Sequence, residues 1–317
     1  MSIKGITFNG KHSYRDMDIT MTGERTIGYP NKRKIKVAPP LSNITYDFSE
    51  LYGDQVYEER TLTYRFNMVN YHELDYASVQ HEATKVVNWL MNSNGKKKLF
   101  DPDIKGYYFL AEVEGGVELE HFIRSGVLNV TFIAYPFKIS VLPEGHDIWD
   151  EFNFELDMAQ NLTYSMDGEY TFKQLPIGST ATIGAWATTY ASGGGKIPLR
   201  NIGISGTITA MERVESSRSK RAYEVTGIDG LVVEQDVIQA HINPLETSVF
   251  NTGTPSITPK IDLTAKATIV KGNRSYNFLE GGQYENDDFR LDSGENKLKI
   301  YSFHKNEIEF NFHKELI

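Results

Sequence analysis

The stretch from Tyr107 to Lys138 limits the possible folds of this chain more than any other, because it reads as two β-strands and the connection between them. Tyr107–Glu112 is aromatic and apolar, and Val127–Ala134 is rich in β-branched residues, which favour strands. Gly115-Gly116 and Ser125-Gly126 supply turn residues to the polar connection. Pro136 ends the ladder because proline has no backbone N–H. The sequence therefore predicts an antiparallel strand pair that closes on a Tyr-Pro-Phe-Lys segment.

The composition excludes several kinds of protein. The chain has 317 residues, 40% of them hydrophobic, which is enough for one large domain or two ordinary ones. Its formal net charge of −9 argues against a protein that wraps DNA, because such proteins neutralise phosphates with basic side chains. It has no cysteine, so disulfide frameworks, thiolate nucleophiles and cysteine-based zinc sites are excluded. A polar amino terminus and the lack of a long apolar run predict neither a signal peptide nor a membrane segment.

The first 70 residues contain several strand signals. Asn9-Gly10 follows an alternating run and predicts a hairpin. Ile19–Met21 and Ile35–Val37 read as strand pieces, separated by a charged arm, Gly23–Lys34, that contains glycine and proline. Tyr46–Leu51 is interpreted as a strand that pairs with the next one, Arg60–Met68.

One helix is predicted in this part of the chain. Apolar residues recur at helical spacing between Tyr76 and Met91. Asp75 is a suitable N-cap because its carboxylate can accept from the first free backbone N–H groups. Asn94-Gly95 supplies a stop signal soon after the last apolar position.

After Lys138 the sequence becomes almost wholly β-like, with short alternating strands typical of a sandwich. Leu142-Pro143-Glu144-Gly145 is the best domain boundary, because turn residues interrupt the strand pattern there. The sequence therefore predicts two domains, residues 1–142 and 143–317.

Particular residues of both domains resemble the distal tail protein family, or siphophage tail component family, of phages that infect Gram-positive bacteria. The resemblance in the first domain is carried by Phe109, Ala111, Glu112 and Tyr135–Lys138. In the second domain it is carried by Asn251, Gly253, Pro259 and Ile261, and then by Gly294, Asn296, Leu298 and Ile300. It implies a mainly β protein with a β-sandwich-like, ring-forming first domain that holds one α-helix. It implies a galectin-like β-sandwich for the second domain.

Residues from about 162 to 242 match nothing expected of that family and are interpreted as a β-rich, peripheral insertion into the second sandwich. This stretch contains Trp186 and Tyr190. Flat aromatic rings can stack on sugar faces, so these two side chains are the candidate carbohydrate contacts. Packing within the core is the competing interpretation of both residues.

The resemblance implies a structural role at the tip of a long non-contractile phage tail. Family members form a hexameric ring that joins the tail tube protein to the tail-tip fibre or tail-associated lysin. Receptor-binding proteins dock around the ring, and DNA passes through its channel without specific binding. The implied location is the virion, after assembly in the host cytoplasm. A carbohydrate-binding adhesin that contacts the host cell wall is the alternative, and a tail-associated hydrolase is a third hypothesis.

The sequence predicts no catalytic, cofactor or metal site. Asp101-Pro102-Asp103 with Gly106 approaches a calcium-loop pattern, but Lys105 places a cation where a ligand is needed. A turn at the entry to a strand is the favoured interpretation. Histidines at metal-ligand spacing are lacking, and a glycosidase carboxylate pair has no sequence signature that would identify it. We therefore expect a protein that is not an enzyme.

Overall fold

The computed structural model describes residues 5–41, 43–49, 55–115, 119–145, 152–153, 158–168, 171–215, 219–241 and 243–317. The protein is mainly β, with many antiparallel sheets, which confirms the predicted fold class. It divides into two compact units. The first comprises Met1–Leu142 with Gly253–Pro255 and His313–Ile317, and the second comprises Pro143–Thr252 with Ser256–Phe312.

The first unit is built on one large antiparallel sheet. The unit as a whole contains strands β1 (Thr7–Phe8), β2 (Lys11–His12), β3 (Ile19–Ile27), β4 (Lys36–Val37), β5 (Tyr46–Asp47), β6 (Arg60–Met68), β7 (Lys97–Phe100), β8 (Tyr107–Glu112), β9 (Val127–Ala134) and β10 (Lys138–Ser140) and helices α1 (Tyr76–Met91) and α2 (Leu119–Ser125). Strands β4 and β5 form a separate two-stranded sheet. The main path of the sheet is β2-β1-β7-β8-β9-β6-β3, and β10 pairs with β8. The core beside this sheet includes Tyr64, Phe66, Phe109 and Phe132 together with the apolar face of α1.

Three local predictions for this unit are confirmed. Thr7 pairs with His12 across a hairpin, and Asn9 and Gly10 both have positive φ, at 48° and 76°, as a two-residue hairpin turn requires. Helix α1 spans the predicted residues, and the Asp75 carboxylate accepts from the Ser78 N–H at 2.8 Å. Strands β8 and β9 have the predicted bounds, and they pair antiparallel.

Three other predictions for this unit are wrong. The connection between β8 and β9 contains helix α2, whose Phe122 is fully buried, whereas only turns were expected; Gly116 lies outside the described residues. Strand β3 continues to Ile27 through the start of the predicted arm. Tyr46 pairs with Val37 in a separate two-stranded sheet and not with β6; Leu51, the predicted end of its strand, lies outside the described residues. Alternation alone marks a strand but does not select its partner, which explains this error.

The second unit contains a sandwich and a smaller sheet. The remaining strands are β11 (Phe152–Asn153), β12 (Met158–Ala159), β13 (Thr163–Met166), β14 (Thr180–Thr182), β15 (Ser205–Arg213), β16 (Arg221–Val225), β17 (Leu231–Val233), β18 (Leu245–Asn251), β19 (Lys260–Leu263), β20 (Ala267–Lys271), β21 (Arg274–Phe278), β22 (Gly282–Glu285), β23 (Gly294–Tyr301) and β24 (Asn306–Asn311), followed by β25 (Glu315–Leu316) of the first unit. Sheets β13-β24-β19-β22 and β18-β23-β20-β21 contribute alternate side chains to one core. Sheet β14-β15-β16-β17 has its own core, from Leu175 to Ala240.

The boundary and the packing of the predicted insertion differ from the expectation. Strand β13 lies inside the range 162–242, but it pairs with β24 and belongs to the sandwich, with Tyr164 opposite Ile308. The smaller sheet is also not a purely peripheral addition. The Ala185 N–H donates to Thr268 Oγ1 of the sandwich at 3.1 Å, and Phe303 of the sandwich packs beside Trp186. The two sheets therefore share buried contacts; the predicted end, residue 242, lies outside the described residues.

Candidate functional site

The exposed apolar side chains of this protein are concentrated in one segment. Sixteen large hydrophobic side chains are exposed among the described residues, and eight of them lie between Tyr29 and Val56. They are Tyr29, Ile35, Val37, Leu41, Ile44, Tyr46, Phe48 and Val56. Scattered exposed apolar residues are normal, whereas a contiguous group marks a surface that another molecule covers. This segment is the candidate functional site.

The segment is a two-stranded ribbon, which we call the apolar arm (residues 28–59 as far as they are described). Three backbone hydrogen bonds mark its course. At the base, the Gly28 N–H donates to Thr61 O at 2.9 Å; further out, the Arg33 N–H donates to Val56 O at 2.8 Å, and the Phe48 N–H donates to Ile35 O at 2.8 Å. Ten residues of one strand of this ribbon cover about 30 Å in extended conformation. The ribbon ends in the β4-β5 pair, which adjoins no other strand of the described chain.

The register gives the apolar arm one apolar and one charged face. Val37 lies opposite Tyr46, and Lys36 lies opposite Asp47. Because side chains alternate along a strand, Ile35 and Phe48 lie on the same face as Val37 and Tyr46. The Tyr46 and Phe48 rings are stacked with centroids 6.3 Å apart. Side chains of this face are 40–54% exposed.

An isolated ribbon of this kind is marginally stable in water, because two strands bury too little surface to offset the entropy of ordering them. Covering a half-exposed apolar side chain contributes about 1 kcal/mol. The four side chains of the apolar face would thus contribute about 4 kcal/mol when a partner covers them. The apolar face of the arm is therefore suited to contact with another molecule.

The opposite face of the arm is basic. Residues 28–49, the outer part of the arm, hold four cationic side chains and one carboxylate, a net charge of +3, whereas residues 50–59 add four carboxylates and no cation; the whole chain carries −9, which leaves −12 outside residues 28–49. Lys34 Nζ lies 3.4 Å from an Asp47 carboxylate oxygen. Hydrogen bonds from the Ser49 hydroxyl and backbone N–H lower the pKa of Asp47 to about 2, so this carboxylate stays charged at every physiological pH. The surface that covers the arm is therefore expected to be acidic as well as apolar.

Arg60 fixes the base of the arm to the segment that carries the family resemblance. Its Nε donates to Gly28 O at 2.7 Å, and its Nη1 donates to Pro136 O at 3.2 Å. The guanidinium also lies 5.1 Å from the centre of the Phe109 ring. Burial lowers the pKa of Arg60, since a charged group loses its hydration there. Gly28 is needed at this point because a Cβ would approach Thr61 O to 2.7 Å.

The calcium-like pattern at Asp101 has a structural use. The Asp101 carboxylate is fully buried and accepts from Arg25 Nη1 at 2.5 Å and from the Tyr64 hydroxyl at 3.0 Å. It also accepts from the Asp103 N–H at 2.9 Å, which shapes the turn before β8. An arginine thus occupies the place where a cation would bind. Within the described ranges, no group of three or more His, Cys, Asp or Glu side chains is arranged to hold a metal ion.

The two predicted carbohydrate contacts are buried, at 4% exposure for Trp186 and 7% for Tyr190. Trp186 Nε1 donates to Gln235 O at 2.8 Å, and the Tyr190 hydroxyl accepts from Asn201 Nδ2 at 2.8 Å. Stacking on a sugar needs an exposed ring face, which neither residue has. The prediction that these residues contact sugar is therefore wrong, and the competing interpretation as core residues is right.

No protein-family model and no curated protein matches the sequence significantly. Among solved structures, the chain is similar to the SPP1 Dit protein (gp 19.1), described as a paradigm of the hub adsorption apparatus in phages that infect Gram-positive bacteria. The similarity covers 100% of both chains, with a TM-score of 0.48 and 8% sequence identity. Values this low establish neither a common family nor a common activity. In the part of the chain that is described, neither helix has the length and apolar character needed to cross a bilayer.

Sequence reasoning identified the charged arm but missed its apolar face. The signal was present in two alternating runs, Lys34-Ile35-Lys36-Val37 and Ile44-Thr45-Tyr46-Asp47-Phe48, on either side of Pro39-Pro40. Two alternating runs around a turn indicate a hairpin with one apolar face. What the pattern could not show is that this face is left uncovered, because exposure depends on the tertiary fold.

Proposed function

We propose that this protein is a structural hub at the tip of a long non-contractile phage tail, where six copies form a ring. Two observations support the proposal. Residues Tyr107–Lys138 resemble the distal tail protein family, and the same unit carries the apolar arm. The observation that carries the self-assembly is the uncovered apolar face, because a ribbon of this kind is stabilised only when another molecule covers it.

A second copy of this chain is the occupant that the charges favour. Residues 28–49, the outer part of the arm, have a net charge of +3 and the remainder of the chain has −12, so this part of one copy is attracted to the body of another. Such a contact joins two different surfaces and is therefore heterologous. A heterologous contact gives a ring when the rotation between neighbouring copies closes, and an open filament when it does not. The sheet and helix α1 would supply the rigid body from which each arm extends.

The proposed ring joins the tail tube protein to the tail-tip fibre or tail-associated lysin, with receptor-binding proteins around it. Its lumen continues the DNA channel. An acidic chain suits that passage, since phosphates are repelled and DNA would not adhere. The second unit would act as a docking platform. The protein functions in the virion after assembly in the host cytoplasm, and it has no catalytic step.

The adhesin alternative loses the residues on which it was based, because Trp186 and Tyr190 are core residues. It now requires a different surface. Among the described residues, no group that could hold a metal ion favours the hydrolase hypothesis. Ring assembly remains the function with the most direct structural support.

The proposal is tested by sedimentation and negative-stain imaging of the protein, alone and mixed with its tail-tube and tail-tip partners. We expect six-membered rings from the wild type. Val37→Asp with Tyr46→Asp should abolish assembly, because it places carboxylates on the apolar face. Thr45→Asn is the control, since Thr45 is exposed on the opposite face of the same strand and this change leaves the charge of that face unaltered.

The variants distinguish two ways in which the proposal could be wrong. A wild type that stays monomeric at high concentration and with both partners would exclude the ring. Rings that persist in the Val37→Asp/Tyr46→Asp variant would retain the ring and exclude the arm as its contact. Near-ultraviolet circular dichroism checks that both variants keep their cores, as expected for changes at exposed positions.

A further inference from the structure

The second unit contains a cavity of about 590 Å³ that neither the proposed ring nor the apolar arm uses. Phe172, Lys220, Arg221, Glu234 and Phe303 are among the residues that line it. Phe303 follows strand β23 of the sandwich. The other four residues lie in the smaller sheet or in the segments next to its strands. A cavity of this size is large enough for a small ligand.

Glu234 places a buried carboxylate in the wall of this cavity. Its side chain is only 3% exposed, and its Oε1 accepts from Arg221 Nη1 at 2.8 Å. Gln235, the middle residue of the turn Glu234–Asp236, holds this turn in place. Its carbonyl accepts hydrogen bonds from Trp186 Nε1 at 2.8 Å and from His241 Nε2 at 2.9 Å. These bonds fix the turn before any ligand arrives, so the carboxylate–guanidinium pair is preorganised.

Two half-buried aromatic rings accompany this ion pair. Phe172 packs edge-on against His241 with centroids 5.1 Å apart, which orients its ring. Phe303 packs against the cluster that contains Trp186. Both rings line the cavity, so each leaves part of its surface to a ligand. Aromatic surface of this kind suits the C–H groups of a sugar or polyol.

The charges of the cavity define the ligand further. Lys220 and Arg221 are cationic and Glu234 is anionic, so the lining carries a net charge of +1. A guanidinium and an ammonium together favour a phosphate group, and a carboxylate beside them accepts hydrogen bonds from hydroxyl groups. We propose that this cavity binds a polyol phosphate. The ligand's phosphate lies between Lys220 and Arg221, its hydroxyls face Glu234, and its C–H groups contact the two phenylalanines.

Calorimetric titration of the full-length protein with glycerol 3-phosphate tests this assignment. Glycerol and inorganic phosphate are the two fragment probes, and both should bind at least about tenfold more weakly than the whole molecule. Lys220→Glu should weaken binding by about tenfold or more, because it reverses a charge at the cavity. Lys260→Glu, at an exposed position on β19, is the matched control and should change the affinity less than about twofold.

Each result decides the matter. Absence of binding by the wild type, or equal binding by the wild type and Lys220→Glu, would overturn the proposal. Inorganic phosphate that binds as tightly as glycerol 3-phosphate would reduce the cavity to an anion site and also overturn it. Phe172→Ala, checked for an unchanged melting temperature, should weaken glycerol 3-phosphate while leaving inorganic phosphate unaffected.

A polyol phosphate can be a free metabolite or one unit of a polymer, and a last comparison separates the two sources. A short poly(glycerol phosphate) chain that binds about tenfold more tightly per chain than the monomer identifies a polymer, and equal affinity identifies the free compound. The proposal does not rest on the ring. Lys220→Glu should leave ring assembly unchanged, so failure of one proposal is distinguishable from failure of the other.

Discussion

The Tyr135 hydroxyl donates a hydrogen bond to the Glu315 carboxylate at 2.9 Å, although 180 residues separate them in the sequence. Strand β25, which contains Glu315, pairs with β10 directly after the Tyr-Pro-Phe-Lys segment, so that Lys138 lies opposite Leu316. The last residues of the chain thus belong to the same compact unit as the first 142. The segment Tyr135–Lys138 is therefore joined to the last residues of the chain by strand pairing and by this hydrogen bond.

Tyr135→Phe should lower the free energy of unfolding of the first unit by about 1 kcal/mol, because the half-buried Glu315 carboxylate loses one donor. Burial raises the pKa of Glu315, and the Tyr135 hydrogen bond opposes that rise. The pKa of Glu315 should therefore increase further in this variant, which nuclear magnetic resonance titration measures. Tyr76→Phe, at a residue that is 73% exposed, serves as the control. An unchanged pKa and stability in Tyr135→Phe would show that the bond contributes nothing.

Asp101→Asn should destabilise the first unit by about 3 kcal/mol, since it leaves the Arg25 charge without its buried partner. Asp103 also contacts Arg25, at 3.0 Å, but is 38% exposed. Asp103→Asn is thus a matched control that should cost less than about 1 kcal/mol. Urea unfolding measures both, and equal effects of the two variants would contradict the role given to Asp101.

Asp236→Asn should stabilise the protein at high pH and not at low pH. Burial raises the pKa of Asp236 from 3.8 to about 7. Between these values the folded state binds the proton more tightly than the unfolded chain, so this residue lowers the free energy of unfolding as the pH rises from about 4 to about 7. Removing the charge should therefore add about 1–3 kcal/mol at pH 8 and little at pH 4. Thermal melts across this pH range measure the difference, and Asp229→Asn, at an exposed position, is the matched control. A flat difference between wild type and Asp236→Asn across this range would disprove the assignment.

Trp186→Ala should unfold or strongly destabilise the smaller sheet, by about 3–5 kcal/mol, because a large buried ring and its hydrogen bond to Gln235 are lost. Hydrogen exchange should show the loss of protection in β14–β17 first. Glycan binding by the folded wild type that Trp186→Ala removed without loss of stability would restore the original interpretation of this residue.

The sequence predicted the parts of the fold in which local signals agree. Helix α1 has apolar residues at helical spacing and an acceptor at Asp75, and both were readable. Helix α2 is only seven residues long, and its glycine-bearing neighbourhood suggested turns. The sequence also identified Trp186 as an aromatic residue that could contact a ligand, but it did not show that this side chain is buried. Burial is decided by contacts between distant segments, as the Ala185–Thr268 hydrogen bond illustrates.

Gly28→Ala should weaken ring assembly without unfolding the core. A Cβ at position 28 would collide with Thr61 O, at 2.7 Å, and so displace the base of the apolar arm. Gly23→Ala is the matched control, because a Cβ there meets nothing within 4 Å. Sedimentation velocity compares the two variants. Equal assembly of both would indicate that the orientation of the arm is not important for the ring.

Native mass spectrometry of the wild type and the Val37→Asp/Tyr46→Asp variant tests the central claim most directly. Six copies of the 36.0 kDa chain give an assembly of about 216 kDa. The wild type, alone or with its tail partners, should contain this six-copy species, and the variant should stay at the mass of one chain. A wild type found only as one chain under all these conditions, or six-copy assembly in both proteins, would contradict the account.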